Sequence, residues 1–116
     1  MARFEALLAP VRDREAARTC IDQLAQDWQG VPEWLDGRNA SLTVHVAPTG
    51  LQVKLLLELQ YSGQLGVLIS SREGMSGGAQ QTRVVLDQLL ASLERLLPGA
   101  QVVFRSDRDG PIRQRA

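Results

Sequence analysis

The sequence predicts an α+β domain: an N-terminal helix or helices, then an antiparallel sheet in the order β-β-β-α-β, with a long amphipathic helix packed on one face. Two observations carry this. Between residues 41 and 69 apolar residues recur with a period of two, the spacing of half-buried strands. Between residues 79 and 97 they recur at helical spacing, and glycine or proline separates the segments. A helix and a sheet that each bury one face against the other make the natural α+β packing.

The elements follow in order. Phe4, Leu7 and Leu8 have the spacing of a short helix that Pro10 would interrupt. Asp13 is the candidate N-cap of a clearer helix, whose Ala17, Cys20, Ile21, Leu24 and Trp28 share one face. Gly30 offers the left-handed position after it, and Pro32 prevents continuation. Pro32, Trp34 and Leu35 form an apolar connector, and residues 36–39, Asp-Gly-Arg-Asn, form a turn.

Leu42, Val44 and Val46 alternate with Thr43 and His45 as a first strand, which Pro48-Thr49-Gly50 ends. A longer strand runs from Leu51 to Tyr61, with Leu56 its single apolar exception on the polar side. Ser62-Gly63 predicts a two-residue hairpin turn into a strand carrying Leu65, Val67 and Ile69, which leaves the hairpin one solvated face. Thr82, Val85, Leu86, Leu89, Leu90, Leu93, Leu96 and Leu97 form the broad stripe of the last helix. Val102, Val103 and Phe104 make a final short strand.

The chain of 116 residues is the size of one domain, read as a helical segment (1–40), an α+β core (41–105) and a flexible charged tail (106–116). Thirteen basic and thirteen acidic side chains cancel, which argues against nucleic acid or an anionic membrane as the partner of the whole surface. Charges throughout the first twenty residues leave no apolar signal-peptide core, and no apolar run approaches the ~20 residues that cross a bilayer. The expected location is the cytoplasm, and the sequence leaves open export through a machine that reads uncleaved signals.

Candidate chemistry is sparse, so no catalytic, cofactor or metal site is expected. One histidine and one cysteine exclude a multi-His metal centre and a Cys-rich zinc site. His45 lies on the polar side of its strand without a second histidine or a spaced acid. Cys20 lies on an apolar helix face, where cysteine acts as a small hydrophobe. The glycines at 74, 77 and 78 precede a helix but lack the spacing and the lysine of a phosphate-binding loop. They read as a hinge. That loop and the arginine-bearing tail are expected to be mobile and dispensable for folding. Trp28 and Trp34, two of five aromatics, are either core caps or a partner surface.

The order strand, proline turn, long alternating strand, glycine turn, strand, leucine-rich helix, strand resembles the C-terminal domain of flagellar hook-length control proteins and of type III secretion needle-length regulators. It is carried by residues 42–55, LTVHVAPTGLQVKL, then Gly63-Gln64-Leu65, the helix from Leu86 to Leu97, and Val102 to Phe104. Thr49 stands where the family's turn carries an acid, and Gly50 precedes Leu51 where the family's glycine follows its leucine. About 40 residues precede the first strand and span at most ~140 Å, so the resemblance implies a switch domain with a helical cap and not a complete ruler.

That resemblance implies a non-enzymatic regulator that switches export specificity by docking a protein partner of the type III export apparatus. Trp28, Trp34, Pro48, Gly50 and Leu51 are the candidate contact residues, and an exposed strand edge is the expected point of contact. The alternative is a small homodimeric secretion chaperone, with the apolar helix after residue 79 as its dimer face. A small enzyme is motivated only by His45 and the glycine-rich loop.

Overall fold

The first ten residues correct the expectation of a helical N-terminus. In the computed structural model, which describes residues 1–109, they hold β1 (Ala2–Ala9), a strand in which every second residue, Ala2, Phe4, Ala6 and Leu8, is buried. Phe4, Leu7 and Leu8 suggest a helix only while Ala2 and Ala6 are ignored. These small residues are 0% and 1% exposed and complete a period of two. The rest of the chain forms α1 (Arg14–Asp27), β2 (Glu33–Trp34), β3 (Asn39–Val46), β4 (Leu51–Leu59), β5 (Leu65–Ser71), α2 (Gln80–Leu96), β6 (Gln101–Arg105) and α3 (Ser106–Asp109).

The architecture is α+β, with one six-stranded antiparallel sheet in the order β2-β3-β4-β5-β1-β6. The strands expected from the period of two form its middle, with Val44 opposite Val53 and Leu55 opposite Ile69. The strand order is richer than expected. β1 lies between β5 and β6, so the chain crosses the sheet through α2 to place its last strand beside its first. β2 adds a two-residue edge, Trp34 opposite Ala40.

One face of the sheet is the core. Leu8, Leu42, Leu55, Leu57 and Ile69 meet Ile21 and Leu24 of α1 and Leu86, Leu89 and Leu93 of α2 in a single cluster. The helical stripes read from the sequence are therefore the buried faces, at ~25 cal/mol per Å² of apolar surface removed from water. The opposite face is covered by no long helix among the described residues. It carries Leu7, Leu56, Leu68 and Phe104, all half-buried.

Local chemistry fixes the ends. Asp13 caps α1, its Oδ1 accepting from Ala16 N–H at 3.1 Å. After α1 the left-handed residue is Gln29 (φ 57°) and not Gly30. Gly30 serves a different need: a Cβ there would stand 2.5 Å from Leu42 Cδ1 and 3.3 Å from the Thr43 carbonyl oxygen, so any side chain would force the buried Leu42 to shift. The β4–β5 turn is longer than two residues. Gln60 N–H donates to Gln64 O at 2.9 Å around a three-residue tip in which Gly63 has φ +84°. Tyr61 consequently leaves the strand and stands 88% exposed, with the Arg38 guanidinium 3.7 Å above its ring.

The charged tail is also corrected in part. Ser106–Asp109 form a helical turn whose Asp107 side chain is 6% exposed and 2.9 Å from Arg105. The remainder of the expected tail, 110–116, lies outside the described residues.

Candidate protein-docking groove

The Ala47-Pro48-Thr49-Gly50 turn between β3 and β4 is held against the start of α2. Gly50 takes φ +75° and its N–H donates to Val46 O at 2.7 Å, closing the turn. The Thr49 hydroxyl donates to Gln81 Oε1 at 2.6 Å. Between this turn, the end of β3 and the first half of α2 lies an open groove of about 600 Å³. Trp28, Val44, Val46, Val84 and Val85 give it apolar walls, while Thr49, Gln81 and Gln88 supply uncharged polar groups. Among the described residues, no Asp, Glu, Lys or Arg lines it.

Trp28 ends α1 as its C-cap residue and is half-buried, its indole packed on the core. Val84 is 52% exposed although it belongs to α2. The helix buries Val85 and Leu86 instead, which rotates Val84 to the rim. Apolar walls with a few uncharged polar groups suit an apolar side chain carried on a backbone.

The groove adjoins the only long stretch of β3 that lacks a strand neighbour among the described residues. β2 covers only Ala40 and Ser41. Leu35 N–H donates to Asn39 O at 2.9 Å, so the carbonyl of Asn39 points outward from β3. The alternation of antiparallel strands then turns the backbone groups of Thr43 and His45 outward as well. Gly30 sits against the Thr43 carbonyl. His45 is left as the free ladder step beside the groove, and it lies on the groove's lining. An edge this short can add one or two backbone bonds, so side-chain packing would supply most of the binding.

The sequence-derived candidates are therefore divided. Trp28 and Pro48 meet in the groove. Gly50 shapes the adjoining turn without lining the groove, and Leu51 packs partly on the core from the start of β4. Trp34 lies apart: its indole N–H donates to Asp22 Oδ1 at 3.2 Å, and Arg18 stacks 4.8 Å from its ring centroid. It braces the β2 edge against α1. The residue the sequence reading missed is Val84. Its only signal was an apolar side chain beside the polar face of an otherwise regular helix.

The remaining candidate groups have structural explanations. Cys20 is 4% exposed, and burial pushes its thiol up to about 11, so it is a poor nucleophile at neutral pH. The N-terminus of α2, after the glycine-rich loop, already holds an anion, the carboxylate of Glu73. Among the described residues no group of three His, Cys, Asp or Glu side chains could hold a metal ion, and no helix is long and apolar enough to cross a membrane. Compared with known proteins, the chain matches no family model and no curated relative.

Proposed function

We propose that this chain is a non-enzymatic docking module that regulates type III protein secretion, switching export specificity by binding the export gate through the groove beside β3. The observation that carries the docking reading is the conjunction of an uncharged apolar groove with the outward backbone groups of His45. An extended partner segment would place an apolar side chain between Trp28 and Val84 and pair its backbone with His45, combining strand addition with a side-chain pocket. The assignment to type III secretion rests on the resemblance in strand, turn and helix order.

The chaperone alternative loses its original motive. The apolar stripe of α2 faces the sheet, with Leu86, Leu89 and Leu93 each 0% exposed, so the stripe that suggested a dimer face is buried in the chain's own core. The test is a pull-down of purified cytoplasmic components of the export gate by the full chain and by Val84→Lys. Retention by the native chain and its loss in the variant support the reading. Reproducible absence of binding by the native chain sinks it.

A further inference from the structure

We infer that a recess at the other end of β3 and β4 from the groove is a binding site for a phosphate dianion, free or as the monoester of a small molecule. Three arginines from separate segments line it: Arg12 from the loop after β1, Arg14 at the start of α1, and Arg38 from the turn before β3. The β4–β5 turn adds Gln60, Tyr61 and Gly63 to the wall of this space, which is about 200 Å³. Among the described residues no Asp or Glu lines it, although the chain carries as many acidic as basic side chains. None of the three arginines makes an ion pair among the described residues.

Two of the three guanidinium groups are held in place by the fold. Val11 N–H donates to Gly63 O at 2.8 Å, which ties the Arg12 loop to the β4–β5 turn. Arg12 lies along Gly63: a Cβ there would stand 3.4 Å from Arg12 Cγ and 3.7 Å from its Cζ. Arg38 is clasped to Leu59, whose N–H donates to Arg38 O at 2.8 Å and whose carbonyl accepts from Arg38 Nη1 at 3.2 Å. The Tyr61 ring, its centroid 3.7 Å from Arg38 Cζ, supports the guanidinium from one face. Among the described residues the Nε and Nη2 of Arg38 donate to no protein acceptor. Groups fixed in this way lose little further freedom when an anion binds.

The chemistry selects the anion. Like charges gathered in one recess repel, and an anion with more than one negative charge offsets that repulsion best. A phosphate monoester carries about −1.5 to −2 at pH 7 and three acceptor oxygens, which suits three guanidinium forks. A carboxylate or a phosphodiester brings a single charge. The neighbouring carboxylates lie in the adjoining recess, which Asp36 and Glu58 line. Asp36 is engaged by its own turn, accepting from the N–H groups of Arg38 and Asn39 and from the Asn39 amide.

Titration of the isotopically labelled full chain at neutral pH and constant ionic strength tests this, with inorganic phosphate, glycerol phosphate and dimethyl phosphate as probes. The two dianions are expected to give saturating shifts confined to residues 11–14, 38 and 59–63. Tighter glycerol phosphate assigns the site to an organic monoester, and tighter inorganic phosphate to the free ion. Dimethyl phosphate, a monoanion, should bind about tenfold more weakly or less. Arg12→Gln and Arg38→Gln should each weaken phosphate about tenfold, the scale of one hydrogen bond to a charged group. Arg95→Gln, at an exposed position of α2, should leave binding unchanged. Thermal melts report whether each variant folds, and the exposed Arg12 keeps the test decisive if Arg38→Gln does not. Absence of saturation, equal binding of dimethyl phosphate, or indifference to Arg12→Gln overturns the inference. None of these outcomes bears on the groove, which shares no lining residue with this recess.

Discussion

Glu73 caps the first turn of α2 through Thr82: its Oε1 accepts from both the backbone N–H of Thr82, at 2.8 Å, and the Thr82 hydroxyl, at 2.7 Å. Its other oxygen accepts from Gln81 N–H at 3.0 Å, and Ser71 Oγ lies 2.7 Å from Thr82 Oγ1. The residue at the N-cap position, Ala79, has no side-chain acceptor to offer. Residues 72–78 are thus more than the dispensable hinge their glycines suggest. Glu73→Ala should destabilise the fold by about 0.5–2 kcal/mol, the usual cost of losing a cap. Urea unfolding measures it, and an unchanged midpoint would show that the cap is unimportant.

Stability should also fall in acid. Burial alone would raise the Glu73 carboxyl, but the hydrogen bonds from Thr82 and Gln81 prevail and hold it below its usual 4.5. Asp107 is lowered in the same way: burial opposes, while Arg105 and the charge of Arg83 prevail. The Arg108 side chain and Arg105 N–H hold Asp109 at about 2. Each group binds its proton more weakly folded than unfolded, so its contribution is complete above the unfolded value and is lost as pH falls through the folded one. Unfolding midpoints should therefore decline from about pH 4.5 towards pH 2. Glu73→Gln should decline less steeply over that interval, and equal slopes for the two proteins would contradict the assignment.

Asp107 ties the last described turn to the rest of the molecule. Arg105 donates to it through Nε at 3.0 Å and through Nη2 at 2.9 Å, and Nη2 also lies 2.7 Å from Asp87 of α2. Asp107→Ala should cost about 1–3 kcal/mol, the range for removing a charge-assisted hydrogen bond from a partly buried site. A chemical-denaturation shift within about 0.5 kcal/mol, typical of an exposed tail, would return these residues to the status the sequence suggested.

Leu89 and Leu93 of α2 are both 0% exposed against the sheet. Either change to Ala should cost about 2–5 kcal/mol. Shifts below 1 kcal/mol at both positions would refute the packing of this helix across the sheet.

These two leucines also mark what the sequence made legible. α2 and β3–β5 could be read because long apolar stripes of large side chains carry an unambiguous period. β1 could not, since half of its buried face is alanine, and its neighbours β5 and β6 are remote in sequence. The turn from Asp36 was legible in its chemistry: Asp36 Oδ1 accepts from Arg38 N–H at 2.7 Å and from Asn39 N–H at 2.8 Å. The groove was half legible. Trp28 and Pro48 stand out by residue type, whereas Val84 and the outward backbone of His45 matter only through the placement of α2 and the shortness of β2, which no local pattern reports.

The central claim is that the groove beside β3 receives the partner. Its most direct test is a titration of the isotopically labelled full chain with a purified cytoplasmic export-gate component, followed at the backbone amides. The account expects saturating shifts confined to residues 44–49 and 81–88 and the Trp28 indole, with Val84→Lys abolishing them. Shifts confined to the open sheet face around Leu56, or none at all, would contradict it.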